Sequence, residues 1–306
     1  MNGPASFVDG HLHFWDPDRF HYRWLRGDRH LDRAFLPEHL DAEPAGIVVV
    51  QADCLPAESA REAAWIQDLA ACGAPVAAIV AHVALEDPAA AAAGLADLAH
   101  VPLVTGVRRL LQDEPPGFAR RPEFVAGVRL LARHGMTMDL CLRRHQIAEV
   151  TALVQDVPEV TFVLDHLGKP RVAATLDAAW ARDIRDLAAL PNTYCKLSGL
   201  ATEAVDPCDR HLMAFLRFAL ETFGPDRCLF GSDWPVLTSV MGYGRWRAVV
   251  LEAIADLTAA EQRQVMAETA ITVYRIAAPV PRPPAVDGDV RGELLGGNTA
   301  GHLRAP

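Results

Sequence analysis

Eight short runs of apolar, largely β-branched residues recur along the chain, at 7–13, 46–53, 76–85, 104–111, 137–143, 161–167, 192–197 and 228–234. After the first, stretches with helical spacing of apolar residues separate them, at 57–72, 89–98, 122–134, 146–154, 178–190, 209–223 and 245–256. Runs such as GIVVVQAD at 46–53 are apolar on both faces, as strands of a parallel sheet covered on both sides must be. Strands alternating with helices therefore predict an α/β fold, and eight such units predict a closed (β/α)8 TIM barrel rather than an open doubly wound sheet. The 306 residues suit one such domain, whose usual size is about 250 residues.

Two segments stand outside the repeating unit. Residues 14–45 are rich in aromatics, Asp and Pro, and read as a long loop with short helices that can roof a site at that end of the barrel. Their aromatics, Trp15, Tyr22 and Trp24 among them, are expected to serve the core more than the pocket. The last helix is expected at 261–275. The barrel domain is accordingly placed at 1–278, and 279–306, rich in Pro and Gly, is expected to be a flexible or loosely packed tail.

With half of its residues apolar the chain can bury a large core. Its net charge of −10 argues against nucleic acid and anionic membranes as partners, since no basic cluster offsets it. The six cysteines form no CxxC pair and read as free thiols. The first residues lack a secretory leader pattern, and no charge-free apolar stretch reaches membrane-spanning length. Together these predict a cytoplasmic protein without a membrane partner.

Chemistry collects at the strand ends. His11 and His13 stand two apart on the first strand and so share a face. His166 ends the apolar run before LGKP, and Asp233 ends the run before WP. Polar residues at the C-terminal ends of several barrel strands read as catalytic, because that end carries the active site. Alternation adds Gln51 with Asp53, Arg108 with Leu110 and Gln112, Asp139 with Cys141 and Arg143, and Tyr194 with Lys196 and Ser198. Arg108, Arg143, Lys196 and Gln51 are the expected substrate contacts, suited to a carboxylate or a hydroxyl-rich ligand. The competing reading is internal ion pairing, for example of Asp139 with Lys196 or Arg108.

The motifs VDGHLHFWDP, VVVQAD, GVRRLLQDEP, DLCLRRHQI, FVLDHLGKP, CKLSGL and LFGSDWPV, in this order, resemble the amidohydrolase-2 group of the amidohydrolase superfamily. The likeness covers roughly residues 7–276 and is greatest for the lactonase branch, which holds sugar lactonases of the L-fuconolactonase and L-rhamnonolactonase types and pyrone-dicarboxylate lactonase. It implies hydrolysis of a ring ester, with a small-molecule lactone, more in keeping with a sugar acid, as substrate. By motif it implies that His11 and His13 are the paired histidines of the first strand and His166 the later strand-end histidine. Asp233 becomes the aspartate that acts on the hydrolytic water, and Arg108 the arginine that holds substrate.

Zinc-dependent members add a further ligand from a middle strand, whereas the fifth strand here reads DLCLR and carries no histidine. His11, His13 and Asp233 still make three ligands for one divalent metal such as zinc. The lactonase branch includes members without a metal, so no cofactor is strictly required. The expected mechanism has Asp233 as general base, His166 polarising the carbonyl, and His11 and His13 assisting or holding a metal. The alternatives are a metal-dependent amidohydrolase or decarboxylase on the same barrel, and a barrel that binds a small molecule without turnover. A serine hydrolase is disfavoured because no GxSxG elbow occurs, and phosphate-binding glycine loops are absent too. A Schiff base at Lys196 would leave the His/Asp set without a purpose.

Overall fold

The computed structural model describes residues 6–205 and 208–277. Eight strands, β1 (Val8–Leu12), β2 (Gly46–Val50), β3 (Val76–Ala81), β4 (Val104–Arg108), β5 (Thr137–Leu140), β6 (Phe162–Leu164), β7 (Thr193–Leu197) and β8 (Cys228–Phe230), pair in sequence order, all parallel. The last strand returns to the first. Asp233 N donates to His11 O and His13 N to Trp234 O, both at 2.8 Å, and these bonds close the barrel just beyond β8. All eight expected runs contain a strand, each shorter than its apolar run.

Seven helices follow the strands from β2 on: α1 (Ser59–Ala71), α2 (Pro88–Leu98), α3 (Pro122–His134), α4 (Ile147–Asp156), α5 (Ala178–Ala188), α6 (Asp209–Phe223) and α7 (Tyr243–Ala253). Their ends are written locally. The Asp87 side chain accepts from Ala89 N and Ala90 N ahead of α2, and Asp177 does the same for Ala179 N and Trp180 N ahead of α5. Apolar stripes such as Trp180, Ile184 and Leu187 on α5 are buried, with Trp180 packed on Phe215 and Phe218 of α6.

The barrel interior below the mouth is filled by Val8, Val48, Val50, Ala78, Val80, Val163 and Leu229. Its lower end is covered by the closing segment, which is not the single α-helix expected at 261–275. A π-helical turn (Gln264–Glu268) separates α8 (Ala259–Arg263) from α9 (Thr269–Val273). The wider turn changes the helical phase. Val265 and Met266 within the π turn and Ala270 and Val273 after it are all buried. Beyond α9, Tyr274 reaches into the barrel and donates to Asp139.

The 14–45 segment is a long loop with two short 3-10 turns, Arg23–Leu25 and Pro37–His39. Trp15 and Tyr22 are buried in it, while Trp24 is 40% exposed. Among the described residues no helix is long and apolar enough to cross a membrane. The expected tail, 279–306, lies outside the described residues.

Candidate active site

The mouth is assembled from the strand ends. Asp9, two residues before His11 on β1, is fully buried. Its Oδ1 accepts from His11 N and Ser232 N, and its Oδ2 accepts from Tyr243 OH. It thus ties β1 to the segment carrying Asp233. Burial pushes the Asp9 carboxyl up to about 6, against these hydrogen bonds. Gly231 makes the approach possible, since a Cβ there would stand 2.8 Å from His11 Cβ.

His11, His13, His166 and Asp233 come together, as the strand ends predicted. Asp233 Oδ1 lies 3.4 Å from His13 Nε2, 3.6 Å from His11 Nε2 and 3.8 Å from His166 Nε2. His13 Nδ1 donates to the carbonyl of Val50 at 2.7 Å, so its Nε2 is the nitrogen with the lone pair when the ring is neutral. His166 Nδ1 lies 2.9 Å from Ser198 Oγ, which orients the ring from β7.

His166 (φ 54°) and Asp233 (φ 60°) both have left-handed backbones. Non-glycine residues rarely adopt that region, and the cost is of order 1–3 kcal/mol each. Surrounding bonds hold them there: Asp233 N to His11 O, and Lys169 N to His166 O. Gly199 (φ 65°) packs against the histidine so closely that a Cβ would meet its ring at 2.4 Å.

Burial drives the pKa of His166 down to about 4 despite Asp233 nearby, and drives that of His11 well below its ordinary value. Burial alone would raise Asp233, but the three imidazoles around it outweigh that and hold it well below the usual carboxylate range. At neutral pH the cluster is therefore an ionised Asp233 beside neutral His11 and His166.

The expected substrate contacts separate into different places. Arg108 lines the mouth cavity, donating to Asp165 Oδ2 at 3.3 Å and to Gln51 O at 2.6 Å. Lys196 does not reach the cavity. It is fully buried beneath it, paired with Asp139 and with Asp165 Oδ1 at 3.0 Å, because an ammonium inside the barrel needs carboxylates rather than a ligand. Arg143 turns outward instead: half exposed, it donates to Asp113 and to Gln112 O. Gln51 is buried, its Oε1 accepting from Asp53 N, and is not among the cavity residues.

Sequence reasoning missed Asp165. Alternation sends neighbours to opposite faces, yet Asp165 and His166 both serve the interior, because the left-handed turn at His166 and Leu167 breaks the alternation. It missed Asp9 too, because an irregularity in β1 between Asp9 and Leu12 breaks the alternation and Asp9 faces Tyr243 of α7. Lys169, whose Nζ donates to Gln112 Oε1, lines the cavity and carries only the weak signal of following the strand end.

The cavity measures about 240 Å³. Trp24, Leu110 and Val236 give it apolar wall, while Asp53, Gln112 and Lys169 give it polar wall beside the His/Asp cluster. A larger depression of about 610 Å³ between α5 and α6 holds no acid–base cluster. There the Arg227 guanidinium is taken up by the carbonyls of Ala188 and Leu190.

His11 Nε2, His13 Nε2 and Asp233 Oδ1 form a triangle with sides of 3.1, 3.4 and 3.6 Å. Ligands at about 2.0–2.1 Å on a tetrahedral ion stand about 3.3 Å apart, so the trio fits a divalent ion such as zinc with one position open.

The Amidohydro_2 amidohydrolase family model matches residues 8–276. The chain belongs to the amidohydrolase family. Among relatives of this amidohydrolase, an L-fucono-1,5-lactonase of Burkholderia multivorans is 34% identical over 90% of this chain and 98% of its own length. An L-fucono-1,5-lactonase of Burkholderia ambifaria is 32% identical over 89% of this chain and 96% of its own. A crystal structure of a Burkholderia multivorans amidohydrolase with bound zinc superposes with a TM-score of 0.79, at 32% identity, over 89% of this chain and all of the other.

Proposed function

We propose that this amidohydrolase opens the ring ester of a sugar-acid lactone by adding water across the acyl C–O bond. The observation that carries the reading is the ionised Asp233 at the wall of a small cavity, ringed by His11, His13 and His166 with Arg108 alongside. The two relatives named as L-fucono-1,5-lactonases, aligned over nearly their whole length, support it. A wall that mixes Trp24, Leu110 and Val236 with Asp53, Gln112 and Lys169 suits a hydroxylated ring, which has apolar faces and polar edges.

All three imidazole contacts of Asp233 fall on Oδ1, which leaves Oδ2 to take a proton from the attacking water. With the Ser198 hydroxyl donating to Nδ1, His166 presents Nε2–H to the carbonyl oxygen of the substrate. Arg108 adds fixed positive charge where the oxyanion develops. The proton held on Asp233 then passes to the leaving ring oxygen, giving the open hydroxy acid.

His11, His13 and Asp233 would hold one divalent ion, zinc by analogy with the Burkholderia multivorans structure. When bound it would supply Lewis-acid polarisation of the ester carbonyl. A hydrolysis assay with a pH indicator, run over aldonolactones and dicarboxylate lactones with and without chelator, tests the reading. Turnover of aldonolactones is expected. No turnover of any lactone, with zinc restored, would overturn it.

A further inference from the structure

His11 is held at both ends, and the two ends can be read independently. At Nδ1 it meets Lys196 Nζ at 3.0 Å and Asp165 Oδ1 at 3.2 Å. The Lys196 ammonium has three protons and three acceptors in reach: Asp139 Oδ2, Asp165 Oδ1 and His11 Nδ1. A proton on Nδ1 would face the third of these donors. At the other end, His11 Nε2 lies 3.1 Å from His13 Nε2. With its ring neutral, His13 donates through Nδ1 to Val50 O and its Nε2 can only accept. The Lys196 and His13 contacts call for the same tautomer, and the Asp165 contact calls for the other.

The structure assigns His11 the Nε2–H tautomer, with Lys196 donating to its Nδ1 and its own Nε2–H directed at His13 and Asp233. A divalent ion on His11 Nε2 requires the opposite tautomer. The ring stays neutral through the exchange: the Nε2 proton leaves to solvent, and one proton is taken up at Nδ1. Asp165 Oδ1 is already in place to accept that Nδ1–H, the carboxylate–histidine arrangement that commonly supports a metal ligand. Lys196 and Asp165 are thus opposed positioning residues: Lys196 favours the proton at Nε2, and Asp165 favours an ion there. The exchange half of the proposal rests on reading the His11, His13 and Asp233 trio as an ion site. The tautomer half does not, and neither half rests on the lactone reading.

The test is a long-range ¹H–¹⁵N correlation spectrum of the full chain labelled in histidine, which separates bare from protonated ring nitrogens. The protein is stripped with chelator and then titrated with zinc, with bound zinc quantified directly. The His11 signals are assigned by their loss in His11→Gln. The stripped protein is expected to show bare Nδ1 and protonated Nε2 at His11, and zinc to reverse them. Protonated Nδ1 in the stripped protein would overturn the tautomer. Stoichiometric zinc with the tautomer unchanged, or no zinc uptake at all, would overturn the exchange. In zinc-affinity measurements Asp165→Asn is expected to weaken binding about 10–100-fold, and Lys196→Met to tighten it. Unchanged affinity in folded Asp165→Asn protein would remove Asp165 from the proposal. Where a variant does not fold, the spectrum of the unmutated chain decides.

Discussion

The backbone N–H of Asp233 donates to the carbonyl of His11 at 2.8 Å, so the bond that closes the barrel also sets the spacing of the carboxylate and the imidazole in its mouth. The two side chains then stand 3.6 Å apart, Oδ1 to Nε2. The site is therefore as rigid as barrel closure itself, and its chemistry can be altered without disturbing the backbone that presents it.

Asp233→Asn is the sharpest such change. Asparagine tolerates the left-handed backbone at this position and keeps the amide that bonds His11. The variant is expected to fold normally by circular dichroism while kcat falls about 10²–10⁴-fold, the usual contribution of a general base. Turnover at the unmutated rate would remove Asp233 from that role.

Gly199→Ala tests the packing behind His166. The added Cβ would enter the imidazole ring, and the positive φ of 65° adds strain. Displacement of a catalytic group by about 1 Å can cost about 100-fold in rate, and a loss of that size in kcat is expected. Ser198→Ala, which removes only the hydrogen bond to Nδ1, is expected to lose about fivefold, equivalent to about 1 kcal/mol. Steady-state kinetics on both variants would show whether the order holds.

Trp24 is pinned over the cavity by donation from Nε1 to Ala52 O at 2.8 Å. It touches no member of the His/Asp cluster by hydrogen bond or ion pair among the described residues. Trp24→Ala is expected to raise KM about tenfold with kcat little changed, the pattern of lost uniform binding. A fall in kcat with KM unchanged would place the ring in the chemistry instead.

Glu62 on α1 links the roofing loop to the barrel. Its Oε1 accepts from Tyr22 OH and Ala52 N. Burial pushes its carboxyl up to about 7 from an ordinary 4.5, against those two hydrogen bonds. Because the folded pKa is the higher one, its stabilising contribution is complete below 4.5 and is lost as pH rises through 7. Glu62→Gln cannot ionise, so its stability relative to the parent should rise across that window, by about 3 kcal/mol at most. Urea unfolding at about pH 5 and about pH 8 checks the sign. An equal gap at both would rule the titration out.

Much of this architecture is legible without coordinates. A run such as GIVVVQAD states a doubly covered strand. His11, His13, His166 and Asp233 could be picked out because strand ends of a barrel converge whatever the exact register. Periodicity carried no warning of the π turn at 264–268 or of the left-handed residues at 166 and 167, since both interrupt the period by which an element is recognised.

The sequence by itself determined that polar side chains of several strand ends meet at one mouth of a barrel, because the C-terminal ends of all eight strands open on the same side. Only the tertiary structure decided how deep each one sits and what it meets there. Lys196 and Arg108 are both inward-facing cations, yet Lys196 lies buried between Asp139 and Asp165 while Arg108 reaches the cavity. That division follows from the stagger of neighbouring strands and from the pairing demanded of charges held away from water, and neither is a property of one strand alone.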